Sequence, residues 1–188
     1  MKIQPAGTEL RYTVTWLHMT ERPTYPWPAL PATHPATLLH AETPPLWYFL
    51  SLYDAVGRDY AWEDMHSEDP AELTAWLARP EVALFTLMMN GWPHGFFLLD
   101  ATTKDITDLA YFGLVPEAVG TGLGKFLLRT AIHTAWDRGG ITKLTVNTCT
   151  LDHPRALQTY QAGGFTPVRR EDFTRTLTRS RDLSRIPE

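Results

Sequence analysis

Residues Val119-Gly120-Thr121-Gly122-Leu123-Gly124 stand between a strand-like run and a helix-like run, and no other segment limits the fold so much. Upstream, Leu109 to Val115 is apolar and aromatic enough for a buried strand, and Pro116 closes it. Downstream, Lys125 to Trp136 carries Leu128, Ala131, Ile132 and Ala135 at helical spacing. A strand, a glycine turn and a helix N-terminus together hold anionic phosphate well. The first N–H groups of a helix lack intrahelical partners, and the helix dipole favours negative charge there. Residues 119–125 therefore read as a seat for a phosphorylated ligand. The plainer alternative is a tight turn with close helix–strand packing.

Two common phosphate motifs do not fit. In the dinucleotide fingerprint G-x-G-x-x-G the third glycine would fall on Lys125 or Leu127, depending on register. In the ATP-binding P-loop, Val119 stands where the first glycine belongs, and Phe126 replaces the Ser or Thr after Lys125. What remains is x-G-x-G-x-G running directly into a helix.

A second segment lies at a fixed distance. Gly139-Gly140 ends the helix, and Thr142 to Thr148 alternates Leu144 and Val146 with polar neighbours as a half-buried strand. Asp152-His153-Pro154 then opens a further helix, with Asp152 or His153 as its cap. Together the glycine loop and the run His153 to Phe165 resemble motifs A and B of the GNAT superfamily of N-acetyltransferases. Gly122 and Gly124 fall on the glycines of Q/R-x-x-G-x-G/A. Ala156, Tyr160, Gly164 and Phe165 fall on N-x-x-A-x-x-x-Y-x-x-x-G-F. Val119 replaces the usual Gln or Arg, and His153 the usual Asn. The resemblance covers about residues 81–170.

The resemblance implies acetyl-coenzyme A as cosubstrate, cradled by Val119, Gly120, Thr121, Gly122, Leu123, Gly124 and Lys125. It places His153 beside the pantetheine arm, and Lys125 or Arg129 near the adenosine phosphates. It implies Tyr160 as the acid at the leaving thiolate; His153, Ala156 and Tyr160 share one helix face. Asp108 is the carboxylate nearest the place of the family's base. A backbone N–H of Leu114 or Val115 would hold the oxyanion. The segment after the first helix lines the acceptor pocket in this family, which makes Tyr53, Arg58, Tyr60 and Trp62 candidate acceptor contacts. The implied reaction is acyl transfer to a primary amine, on a small molecule or a peptide, by direct attack in a ternary complex. The alternative is a noncatalytic module that binds an acyl-coenzyme A.

Composition narrows the classes. The 188 residues suit one domain with a substantial core, and 44% apolar with 20% charged residues is ordinary for a globular protein. A net charge of −4 argues against a nucleic-acid partner. The lone Cys149 excludes an internal disulfide, and no H-E-x-x-H or Cys/His cluster suggests a metal. No apolar run reaches membrane-span length and no signal peptide is evident, so a cytoplasmic location without membrane contact is expected.

The rest of the chain supplies a framework. Residues 9–19 read as a strand, a helix starts near Pro44, and Asp69-Pro-Ala-Glu72 caps a shorter helix. Asn90-Gly91 between apolar runs marks a hairpin. Residues 23–45 are Pro-rich and read as a covering loop or arm whose aromatics suit a lid or a homodimer contact. A last strand is expected near 165–170, then a polar, Arg-rich tail at 171–188 that can continue the strand before fraying. The expected fold is mixed α/β, a single GNAT-like domain over 1–188. Its mostly antiparallel twisted sheet is splayed between 109–115 and 142–148, with helices on both faces.

Overall fold

The computed structural model describes residues 3–30 and 35–187. Strands are β1 (Ile3–Gln4), β2 (Glu9–Met19), β3 (Ala36–Ala41), β4 (Val82–Met89), β5 (Trp92–Asp100), β6 (Ile106–Leu114), β7 (Lys143–Cys149), β8 (Thr166–Thr176) and β9 (Arg181–Asp182). Helices are α1 (Leu46–Gly57), α2 (Pro70–Leu77), α3 (Leu123–Asp137) and α4 (Ala156–Ala162). Seven strands form one sheet in the order β3-β4-β5-β6-β7-β2-β8. Every neighbouring pair in it is antiparallel except β6 with β7.

Local chemistry explains most of these elements. Asn90 and Gly91 both take positive φ, 53° and 86°, as a two-residue hairpin turn matched to strand twist requires. The Asp69 carboxylate accepts the Ala71 and Glu72 amides at 2.7 and 3.2 Å, satisfying donors that the first turn of α2 leaves free. β5 is apolar on both sides because both its faces are covered. Phe97 and Leu99 join the core under α3, whereas Phe96 and Leu98 join the core under α1, and all are fully buried.

The N-terminal strand has an unexpected place. β2 does not lie beside the next strands in sequence but between β7 and β8, with Trp16 opposite Asn147 on one side and Arg169 on the other. Leu17 of this strand is buried in the α3-side core.

Other boundaries depart from the sequence reading. Residues 31–34 of the Pro-rich segment, and residues 1, 2 and 188 of the expected domain, lie outside the described residues. Within that segment, residues 36–41 form an edge strand on β4 rather than a loop. Its earlier part covers α3 and α4: the Tyr25 hydroxyl donates to the Gly163 carbonyl at 2.9 Å, and Trp27 stacks on His133. α4 begins at Ala156, later than Asp152-His153-Pro154 suggested. The tail continues the last strand and then packs on the domain. β8 continues to Thr176, Leu177 is buried, and Arg181 donates to the carbonyls of Asp59 and Leu151 at 2.8 and 2.6 Å.

Candidate active site

The parallel strands β6 and β7 pair only at Ile106–Lys143, Thr107–Leu144 and Asp108–Thr145. Beyond that point they part, and Leu109–Leu114 on one side and Asn147 and Cys149 on the other line a cleft of about 1140 Å³. A bulge on β6 shapes its wall. Leu109 faces Leu99 and Tyr111 faces Leu98, leaving Ala110 over. Ala110 and Tyr111 consequently both pack on the α1 side, whereas Leu109 and Phe112 pack on the α3 side.

Backbone polarity in the opening follows from the antiparallel ladder to β5. The Val115 amide donates to the His94 carbonyl at 3.0 Å. Adjacent residues on such a strand point their N–H groups in opposite directions. The Leu114 amide is therefore turned away from β5 towards the opening, and the Val115 amide, already engaged, is removed as an oxyanion donor.

The glycine loop closes one end of the cleft. Gly120 and Gly122 each have φ of +85°, and an ideal Cβ on either would meet no atom within 4 Å. Backbone conformation rather than crowding demands glycine there. Gly122 precedes α3 without any side-chain cap, so the first amides of this helix stay available to an anion. Val119, Gly120, Gly122, Gly124 and Lys125 line the cleft, as does Arg129, whose guanidinium lies 4.3 Å above the Tyr25 ring. Thr121 and Leu123 do not. The Thr121 hydroxyl turns back to the Ala118 carbonyl at 2.6 Å, and Leu123 is fully buried in the core, so both belong to the loop through their backbone alone.

Tyr160, Ala156 and His153 face the cleft together. The Tyr160 ring packs edge-on against Phe112 and Phe165 at 5.9 and 6.0 Å. Burial pushes its phenol far up, and the carboxylates of Asp152 and Asp108 add to the effect, so it is neutral at any physiological pH. His153 is held below its ordinary value by burial and by Arg155. Its Nδ1 accepts the Arg155 amide at 3.1 Å, which leaves the proton of the neutral ring on Nε2.

Asp108 does not line the cleft. It sits at the last paired position before the strands part, where its carboxylate accepts the Thr145 hydroxyl. Burial raises its pKa; the Thr145 hydrogen bond opposes this, and the nearby Asp100 carboxylate reinforces it. Asp152, expected as a helix cap, instead accepts from the Thr148 hydroxyl, the Cys149 amide and the Trp62 indole.

On the far side, Tyr53, Tyr60 and Trp62 line the cleft as expected, but Arg58 does not: it is exposed, with its nearest carboxylate contact to Asp59 at 4.0 Å. Burial pushes the Tyr53 phenol up to about 12. Asp152, expected only as a cap, lines the same space, as do Tyr111, Asp64 and Arg175, which the sequence did not single out. Arg175 is paired with Asp64 at 2.7 Å and lies over the Tyr12 ring. Tyr111 follows the bulge at Ala110 and Arg175 is an ordinary strand residue, and no sequence signal marks either.

The model of the acetyltransferase (GNAT) family matches residues 49–165. The chain belongs to the GNAT family. A search of curated proteins gives no match. Among solved structures, a Drosophila melanogaster protein aligns with TM-score 0.65 at 12% identity, covering 93% of this chain and 54% of that one. A GCN5-related N-acetyltransferase from Kribbella flavida aligns with TM-score 0.56 at 19% identity, covering 86% and 56%. An aminoglycoside acetyltransferase from an uncultured soil metagenomic sample aligns with TM-score 0.54 at 15% identity, covering 68% and 86%. The chain thus spans little more than half the length of several structures it matches, and at these identities the likeness is one of fold. This GNAT domain has the mixed α/β, mostly antiparallel sheet of those neighbours. Among its described residues, no group of three or more His, Cys, Asp or Glu is placed to hold a metal, and no helix is long and apolar enough to cross a membrane.

Proposed function

We propose that this GNAT domain transfers an acyl group, in the simplest case acetyl, from acetyl-coenzyme A to a primary amine by direct attack. The observation that carries this reading is the opening between β6 and β7, which joins the uncapped N-terminus of α3 to Tyr160 in one cleft. These residues fit the cosubstrate. Positive-φ glycines leave open space before free helix amides, Lys125 and Arg129 flank them, and the unpaired strand edge beyond suits an extended amide-bearing arm. When bound, acetyl-coenzyme A supplies an activated acyl group.

The chain's own groups divide the remaining work. The Leu114 amide donates to the acyl oxygen as negative charge develops on it. Tyr160 donates a hydrogen bond to the departing sulfur. Its phenol is far weaker as an acid than a thiol of ordinary pKa about 8.5, so it stabilises the thiolate more than it surrenders a proton. Asp108 stands behind the apex of the opening and takes the amine's proton through intervening water. Its raised pKa makes it a better base than an ordinary Asp. His153 directs Nε2–H towards the arm, in the place where the family commonly has an Asn. The acceptor enters on the side of Tyr53, Tyr60 and Trp62.

Calorimetric titration with acetyl-coenzyme A tests the reading, using wild type and Gly124→Trp. The ideal Cβ of Gly124 lies 3.6 Å from Leu114 Cδ1, so a large side chain there fills the cleft. Micromolar binding by wild type and its loss in the folded variant are expected, together with turnover on an amine panel. Absence of binding by wild type overturns the proposal, and binding without turnover on any amine overturns its catalytic part.

A further inference from the structure

The acceptor side of the cleft has a wall of three rings packed on one another. Tyr53 to Trp62, Tyr53 to Tyr111 and Trp62 to Tyr111 have centroid separations of 5.4, 5.5 and 5.6 Å. Next to this wall stands Asp152. The Trp62 indole N–H donates to its Oδ1 at 3.0 Å, and the Thr148 hydroxyl and Cys149 amide each donate to its Oδ2 at 2.8 Å. These donors are neutral, so they fix both oxygens without forming an ion pair.

Among the described residues no cationic side chain forms an ion pair with Asp152. Arg181, whose charge reaches Asp152, directs its hydrogen bonds to the Asp59 and Leu151 carbonyls instead. Asp64, the other carboxylate of the cleft, is already paired with Arg175. Asp152 is therefore a cleft carboxylate outside any side-chain ion pair, set beside Tyr160 and flanked by aromatic surface.

We propose that the acceptor is a monocationic amine with an aromatic or hydrocarbon body, its ammonium drawn to Asp152 and its body laid on Trp62 and Tyr111, which the buried Tyr53 backs. This narrows the transferase reading above and rests on it. A cation between a carboxylate and aromatic faces gains a charge-assisted hydrogen bond and cation–π attraction. A polycation finds its second carboxylate already taken by Arg175. A free amino acid brings its own carboxylate against Asp152.

The test is calorimetric titration of the protein saturated with coenzyme A, using 2-phenylethylamine, 2-phenylethanol, phenylalanine and spermidine. The amine should bind at least tenfold more tightly than the other three. Asp152→Asn should weaken it at least tenfold while leaving coenzyme A affinity within twofold. The proposal falls if the alcohol or phenylalanine equals the amine, if spermidine exceeds it, or if none of the four binds. Should Asp152→Asn not fold, the wild-type ranking alone decides. Should coenzyme A fail to bind, the transferase reading falls, and titrating the free protein with amine and alcohol still decides whether the site takes a cation.

Discussion

The Thr145 hydroxyl donates to the Asp108 carboxylate across the last paired position of β6 and β7, at the point where the two strands separate. The hydrogen bond pins the apex of the opening. It also puts a carboxyl of raised pKa behind the cleft rather than in it, which sets the first expectation.

Asp108→Asn should reduce turnover on the order of 100-fold, the lower range for loss of a general base. Its stability should move the other way. A carboxyl whose folded pKa is raised stabilises fully below its unfolded value, and that contribution is lost as pH rises through the folded value. At pH 7 the variant should melt no lower than wild type, and any advantage should close as pH falls to about 4. Melting curves at the two pH values check this, and a variant markedly less stable at pH 7 contradicts it.

Tyr160→Phe should lower kcat on the order of 100-fold with acetyl-coenzyme A affinity nearly unchanged, because the ring packing on Phe112 and Phe165 is kept. Since the phenol is pushed up by burial, ionisation of Tyr160 should cause no alkaline loss of wild-type rate below pH about 10, the ordinary tyrosine value. A pH–rate profile of both proteins separates the outcomes.

Gly122 and Gly124 should respond oppositely to alanine. Gly122 holds a positive φ, so Gly122→Ala should cost about 1–2 kcal/mol. Gly124 lies inside α3 with only an ordinary contact to Leu114 waiting for a Cβ, so Gly124→Ala should be stabilising by up to about 1 kcal/mol. Urea unfolding of the pair is the comparison, and equal effects would refute the distinction.

Leu17→Ala should destabilise by about 2–5 kcal/mol as a large-to-small change in a core, since Leu17 is only 1% exposed and packs in the α3-side cluster. A loss below about 1 kcal/mol, within the range of surface substitutions and small core trims, would show that β2 is not held as the structure has it.

What the sequence revealed depended on how local the cause was. The Asn90-Gly91 hairpin, the Asp69 cap and the α3 periodicity each need only a few neighbouring residues, and each is present. β3 was missed because six residues in a Pro-rich stretch carry too little alternation to register. The cleft-facing glycines were visible because positive φ leaves a signature in residue type. Asp152 misled for a similar reason: an Asp before His-Pro looks like a cap, yet its oxygens go to Thr148, Cys149 and a tryptophan 90 residues away. Tyr111 reaches the cleft through a bulge that spacing does not reveal, and Arg175 reaches it from the end of β8.

The span that carries the family signature is not the span that folds. Residues 49–165 omit β2 and all of β8, yet β2 is the strip that joins β7 to β8. During synthesis the strand that emerges early has no lasting neighbour until the last third of the chain appears. Such distant pairings make for slow folding, and they leave an apolar strand waiting. A fragment trimmed to the recognisable motifs would keep the glycine loop and Tyr160 but lose the plank that holds one side of the cleft in place. Engineering of this protein therefore has to treat β2 as part of the half that frames the cleft.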